Sequence, residues 1–405
     1  MTSRCAAAGT VVILILVAVF VPVSVTGGQE PVPRTSTLPG IESSRFPYAD
    51  PEQVGLSAQA VDGLVDQVSQ WVVSGDIAGG EVMVVKDDRI ALHETVGWND
   101  RERQIPLSRN SFYRIRSMTK PVVGTAILML VEDGEIGLDD LVADYLPSFL
   151  NERSGDITVR QLLRHQAGYE QTAMPNGYWQ QPTLRDAIDL LGRAGPAHPP
   201  DDVFRYSDKN PAALGAIIAE VTGEPAERFI RSRIFEPLGL LEMQTYFSPD
   251  VRWASRMNST YRRIGDLWVK YWNPRMRQEA PFFRGSGGIH TTISAYARFL
   301  TAWMRGGLFD GGQLLDEATV ARALRSDQPI TWGGELPPDH YGQHWVLFAE
   351  PSSQGELPVF GHWGSDGTLA MALPEQNMLV LYFTQSRENA TLTEFARIVL
   401  ESFNK

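Results

Sequence analysis

Met378-Leu-Val-Leu-Tyr-Phe-Thr384 is an apolar run of strand length, and it decides how the rest of the chain is read. Leu369-Ala-Met-Ala-Leu373 just before it reads the same way, and Leu392 to Phe403 after it has helical spacing. At the other end, Glu81-Val-Met-Val-Val85 and Ile90-Ala-Leu-His-Glu-Thr-Val96 read as two strands joined by the charged turn Lys86-Asp-Asp-Arg89. Between the two groups the pattern is helical. Strands at both ends with helices between them predict one sheet built from both ends of the chain, with a helical lobe inserted in it.

Val61, Leu64, Val65, Val68, Trp71 and Val72 mark an amphipathic helix that Gly75 closes. Further helices are expected over 159–165, 183–193, 211–221, 225–235 and 293–304, the last capped by Thr292 or Ser294. Residues 245–285 lack clear periodicity and hold Trp253, Tyr261, Trp268, Tyr271, Trp272, Phe282 and Phe283. They read either as a surface excursion with its own small cluster or as an aromatic rim over a cleft.

The 405 residues are 43% hydrophobic and 21% charged, which suits a globular chain with a substantial core. A formal charge of -12 argues against nucleic acid and against a basic membrane-surface mode. Residues 1–27 have the regions of a secretory signal: Arg4, the apolar run Val11 to Val21, Pro22, then Ser24-Val-Thr-Gly-Gly28. That run is short for a membrane span of about 20 residues, though an uncleaved anchor is the alternative. The expected organisation is therefore a signal peptide or anchor at 1–27, a Pro/Ser/Thr/Gly-rich leader at 28–46, and one domain over 47–405. The helical lobe would cover about 135–285, and an exported chain is expected, periplasmic or secreted. Cys5 is the only cysteine, so a mature chain cut near Gly27 has no disulfide and no thiolate nucleophile.

The chemistry is expected at Arg114-Ile-Arg-Ser-Met-Thr-Lys-Pro121. From Met118 the apolar residues fall at Val122, Val123, Ala126, Ile127, Leu130 and Val131, one helix face that Asp133-Gly134 would close. Pro121 is tolerated in a first turn, whose N–H groups have no intrahelical partner. Ser117 then sits at the positive end of a helix, and Lys120, one turn on, can reach its oxygen. A serine hydroxyl needs a neighbouring base, and an amine serves if burial or another cation lowers its pKa. The pattern by itself is cheap: Ser402-Phe-Asn-Lys405 matches it too, and a plain N-cap with a solvated lysine explains it as well.

Two other stretches contain what an activated serine needs. In Phe204-Arg-Tyr-Ser-Asp-Lys-Asn210, Tyr206 could act as a base if cations lower its phenol pKa, and Asp208 or Asn210 could hold Lys120. In Phe360-Gly-His-Trp-Gly-Ser-Asp-Gly367, glycines would let a substrate lie against backbone. An N–H freed there could join that of Ser117 as an oxyanion hole.

Ser117-x-x-Lys120, Tyr206-Ser-Asp208 and His362-Trp-Gly364 resemble, in order and spacing, the three motifs of the serine β-lactamase and D-Ala-D-Ala carboxypeptidase family. The chain looks most like its class C and family VIII esterase branch, where the middle motif opens with tyrosine. The stretches 157–168, 214–223 and 286–289 are similar to that family's connecting signatures, so the resemblance covers roughly 47–403. It implies an α/β fold, an antiparallel sheet with helices on both faces plus the inserted lobe. It also implies acyl transfer through Ser117, with Lys120 and Tyr206 sharing the base role and the N–H groups of Ser117 and Ser365 holding the oxyanion. Asp208, Asn210, His362, Trp363 and Gly364 would bind substrate or support the site. No metal or organic cofactor is implied, and the expected partner is a small ester, amide or lactam.

Two departures bear on substrate. His362 stands where class C lactamases have lysine, and Asp208 where lactamases usually have asparagine. A largely neutral imidazole and an added carboxylate both weaken recognition of an anionic lactam. Short-chain carboxylic esters are thus the expected substrates, unless Arg284 or another cation reaches the site or Asn210 supplies an amide. Peptidase or lactamase activity is the alternative, and a non-catalytic binding protein keeping the fold is the rival of another class. Thr331-Trp-Gly-Gly334 resembles a replacement third motif of some esterases, but His362 directly precedes a strand. His340 and His344 have helical metal-ligand spacing, and Pro337, Pro338 and Gly342 argue against a helix there.

Overall fold

A computed structural model describes residues 32–33, 46–200, 203–245, 253–265, 267–276, 281–326, 340–351, 355–387 and 390–404. The signal-like segment, Cys5 and Thr331–Gly334 lie outside the described residues. No helix among the described residues is long and apolar enough to cross a membrane.

Strands from both ends of the chain pair in one sheet. β1 (Gly79–Lys86) and β2 (Arg89–Asp100) form a hairpin whose turn residues Asp87 and Asp88 both have positive φ, 50° and 59°. Left-handed residues at both positions match the twist of a two-residue hairpin. After the short β3 (Ile105–Pro106), the sheet resumes with β4 (His340–Tyr341), β5 (Val346–Ala349), β6 (Val359–Gly364), β7 (Thr368–Leu373) and β8 (Met378–Thr384). The spatial order is β4-β5-β6-β7-β8-β1-β2-β3, antiparallel throughout, with Met83 of β1 opposite Leu381 of β8 where the two ends join.

Alternation along β8 explains why the run is apolar from Met378 to Phe383. Leu379, Leu381 and Phe383 join one core with Met83 and Val85, while Met378, Val380 and Tyr382 join a second with Val82 and Val84. The second core is closed by α1 (Ala58–Ser74) and, at the C-terminus, by the helix Thr391–Phe403. Ser57 caps α1 by accepting from the Ala60 N–H, and Gly75 ends it at φ 80°.

The first core surrounds α2 (Lys120–Glu132). From Lys120 to Leu130 every residue of α2 is buried, so it is not the one-faced helix that the apolar spacing suggested. A helix covered on all sides belongs in the middle of a core. Its neighbours include α4 (Lys209–Thr222), which also packs on α3 (Val159–Leu163), while α5 (Ile293–Met304) lies against the sheet. Thr292 caps α5 by accepting from Ala295 N–H at 3.2 Å; Ser294 donates instead to Asn110.

The stretch without periodicity contains an antiparallel ribbon, Thr260–Ile264 with Leu267–Trp272. Phe112, Met257 and Trp272 form a small cluster with Trp253 and Tyr271 packed against it, and Phe282 and Phe283 belong to the main core. Of the seven aromatics, Tyr271 is the one that also borders the cleft described below.

Candidate active site

Backbone geometry around Ser117 is unusual before any side chain is considered. Tyr113–Arg114 pairs with His290–Thr291, and the Ile115 N–H donates to Ile289 O at 3.2 Å. Arg116 then adopts a left-handed φ of 46°, a conformation that costs a non-glycine residue roughly 1–2 kcal/mol. A 3-10 turn, Arg116–Thr119, follows and leads into α2. Ser117 therefore stands in a tight turn ahead of the α-helix rather than on its first residue. It is partly exposed, whereas Lys120 is fully buried.

The three donors of Lys120 Nζ have three acceptors: Asp208 Oδ1 at 2.8 Å, Ser117 Oγ at 3.0 Å and Ser286 O at 3.3 Å. The amine also lies 4.6 Å from the centre of the Tyr206 ring, whose phenol feels both Lys120 and Ser117. Asp208 enters at the start of α4, and its backbone N–H donates to Gln171 Oε1 at 2.7 Å. Asn210, two residues on, is fully buried and bonds His165 Nδ1 at 2.7 Å. Asp208, not Asn210, holds the lysine, and no amide from Asn210 reaches the cleft.

Charge in this cluster is set by the pairing. Burial pushes Lys120 down, but Asp208 and Tyr206 outweigh it and its pKa is raised. Burial pushes Asp208 up, and Lys120 and Arg284 outweigh that, holding the carboxyl below its usual range. For Tyr206 burial prevails over the pull of Lys120, so the phenol is raised. The resting cluster is an ammonium, a carboxylate and a neutral phenol, not the lowered amine or lowered phenol that base chemistry suggested.

β6 runs directly against the Ser117 turn. A Cβ on Gly364 would come within 2.2 Å of Ile115 O, so glycine is what lets the strand lie there. Trp363 and Ser365 border the cleft with Ser117. His362 faces the other way, as strand alternation requires. It is fully buried, its Nδ1 donates to Trp363 O at 2.8 Å, and its Nε2 lies 3.4 Å from the Tyr341 hydroxyl. Burial first, then the Lys120 charge, lowers its pKa to about 3, so it is neutral and supports the site from behind.

A cleft of about 480 Å³ opens over Ser117, Tyr206 and Asp208, and Arg116, Arg262, Arg284 and Arg387 border it. Beneath its edge, Asp366 is buried and takes Arg116 Nε at 2.9 Å, Arg387 Nη1 at 2.8 Å and the Tyr271 hydroxyl at 2.7 Å, with Arg114 Nε at 3.6 Å. Arg387 also donates to Ser365 Oγ at 3.0 Å. A second recess of about 400 Å³ shares Asp208 and Arg284 and is walled by Met174, Pro175, Tyr178 and Trp179.

Sequence reasoning did not find Gln171, Arg116, Arg262, Arg387 or Asp366. Arg116 and Asp366 each adjoin a candidate residue and could have been noticed. Arg262 and Arg387 are brought together by the parallel pairing of Ser386–Arg387 with Tyr261–Arg262, which no local pattern announces. Among the described residues no group of three or more His, Cys, Asp or Glu suits a metal ion. His340 and His344 stand on a hairpin, not a helix; His340 pairs with Glu350, and His344 is buried against Lys120.

The family model described as Beta-lactamase matches residues 58–402, most of the chain. The chain belongs to the Beta-lactamase family. Members of the Beta-lactamase family are serine hydrolases. PbpX of Bacillus subtilis (strain 168), provisionally named a penicillin-binding protein, is 34% identical over 271 residues. That match spans 66% of this chain and 64% of PbpX. Among solved structures, EstCE1, a hydrolase with promiscuous acyltransferase activity, superposes with a TM-score of 0.71 at 20% identity, covering 84% of this chain and 98% of its own. The D-amino acid amidase of Ochrobactrum anthropi SV3 gives 0.69 at 20% identity, covering 86% and 99%. At such identities the Beta-lactamase-family likeness to these structures concerns the fold.

Proposed function

We propose that the chain is an acyl-enzyme hydrolase whose nucleophile is Ser117. The observation that carries this reading is Lys120 Nζ, fully buried, bonded to Ser117 Oγ at 3.0 Å and facing Tyr206. Because the resting pair is ammonium and phenol, it must release one proton before it can accept another. The deprotonated pair then takes the Ser117 proton as Oγ attacks the substrate carbonyl, and passes it to the leaving oxygen or nitrogen. Backbone N–H groups of Ser117 and Ser365 hold the developing oxyanion. Water, activated by the same pair, hydrolyses the acyl-enzyme.

The substrates are small carboxylic esters or amides, and those carrying an anionic group are favoured. Loss of a third-motif cation and the presence of Asp208 argued for neutral esters. Arg116 and Arg387 at this cleft are held by Asp366, so Arg262 and Arg284 are the cations on it that weigh against that argument. The same arginines suit the carboxylate of a peptide C-terminus or of a lactam, which keeps a peptidase or lactamase as the second reading. Export is supported by the apolar run at 11–21 followed by small residues.

Incubation with a fluorophosphonate should add one label, on the peptide containing Ser117, and Ser117→Ala should abolish it. Labelling that persists in the variant overturns the reading. A hydrolysis screen across neutral esters, anionic esters, cephalosporins and D-amino acid peptides then ranks the substrates.

A further inference from the structure

Two buried histidines behind the site have their tautomers set by their neighbours. His165 Nδ1 accepts the Ser207 backbone N–H at 3.1 Å and lies 2.7 Å from Asn210 Nδ2. An N–H can only donate, so Nδ1 is bare and the proton of the neutral ring is on Nε2. His344 shows the reverse. Its Nδ1 lies 3.0 Å from Lys120 O, a carbonyl that can only accept, so Nδ1 carries the proton and Nε2 is a bare acceptor.

Both side chains are fully buried, the ring centres are 5.2 Å apart, and neither Nε2 has a hydrogen-bond partner among the described residues. One ring thus carries a buried donor and its neighbour a buried acceptor, neither with a hydrogen-bond partner among the described residues. A buried donor or acceptor left without a partner is destabilising. Both residues also hold a left-handed backbone, φ 56° and 62°, which brings their rings to this place. His165 follows the end of α3, and His344 lies in the β4–β5 turn.

We infer that His165 and His344 form an imidazole pair bridged by one water, Nε2–H to water to Nε2, and that this pair couples the Tyr206 loop to the Lys120 turn. His165 is tied to Ser207 and Asn210 and stacks on Tyr206 with ring centres 4.6 Å apart. His344 holds the carbonyl of Lys120 itself. The pair therefore spans the two segments that present the base, and its members are positioning residues. The inference rests on the Ser117–Lys120–Tyr206 reading, which the fluorophosphonate experiment tests separately.

Asparagine tolerates the left-handed conformation and places an amide where Nδ1 stands, so His165→Asn and His344→Asn each keep the local bond and remove only the link. Each single variant should still label Ser117, lower kcat about tenfold and leave KM within about twofold, a loss typical of a small misplacement. The double variant should be no slower than the slower single. A double variant that loses the product of the single losses overturns the pair, as does an unchanged kcat beside a lowered Tm. Nitrogen-15 NMR of histidine-labelled wild-type protein tests the tautomers without any substitution. His165 protonated at Nε2 and His344 at Nδ1 is the expected result, and the opposite assignment at either ring overturns the inference.

Discussion

Asp208 Oδ1 lies 2.8 Å from the same Lys120 amine that lies 3.0 Å from Ser117 Oγ. One ammonium thus serves both a carboxylate and the proposed nucleophile, and the carboxylate decides how tightly the proton is held.

Asp208→Asn should shift the acid limb of kcat/KM to lower pH. Asp208 raises the Lys120 pKa, so it keeps the base pair protonated to higher pH. Removing its charge frees the pair earlier in an alkaline titration. A neutral ester is the substrate of choice, because its own binding does not depend on that charge. A limb that moves upward would show that Asp208 does not govern the proton.

Lys120→Ala and Tyr206→Phe should each lower kcat by about 10² to 10⁴ while leaving the circular dichroism spectrum unchanged. The two groups form one cluster with Ser117, so the double variant should fall well short of the product of the singles. Fully multiplicative losses would separate the two into independent roles.

Asp366→Asn should lower Tm at neutral pH, since breaking a buried ion pair costs about 3–5 kcal/mol. Burial raises this carboxyl, but Arg116 and Arg114 outweigh it and the folded pKa is depressed. The contribution is therefore present above the unfolded pKa of about 3.9 and disappears as pH falls through the folded value. Wild type should lose Tm steeply below about pH 4, and the variant less so. Parallel Tm curves would place the acid sensitivity elsewhere.

Arg284→Gln should discriminate between substrates. A lost charge-assisted hydrogen bond is worth roughly 1.5–3 kcal/mol, or about one to two orders of magnitude in kcat/KM. Nitrocefin and an anionic p-nitrophenyl ester should suffer that loss, and p-nitrophenyl butyrate should not. Added salt should depress the anionic substrates alone in wild type. Equal losses for neutral and anionic esters would remove the anion preference from the proposal.

Gly364→Ala should be among the most damaging small substitutions in the chain. The added carbon meets Ile115 O at 2.2 Å, backbone against backbone, so either β6 or the turn before Ser117 must move. Loss of Ser117 labelling together with a lowered Tm is the expected result. Full activity would mean that the strand and the turn can separate without consequence.

Much of this was legible along the chain. The apolar runs at 81–85, 90–96, 369–373 and 378–384 are strands of one sheet, Gly75 marks a helix end by local chemistry, and Thr292 is the cap of the two that the sequence offered. Ser117 and Lys120 are three residues apart, close enough for a turn to bring them together whatever the rest of the fold does. The length of burial along α2 was not legible, because apolar spacing reports a helix's own faces and not how many neighbours cover it.

By itself the sequence determined the main apolar strands and most helices, because period and capping are local properties, and it offered Ser117 and Lys120 as candidates that only the family resemblance set above a chance match. Only the tertiary structure decided the charges. It gave Lys120 a carboxylate in Asp208 and turned Asn210 and His362 away from the cleft. It also set Arg116 and Arg387 around one buried Asp366, partners far apart in the chain. Electrostatic state depends on distance through space and on burial, and neither is written at any single position.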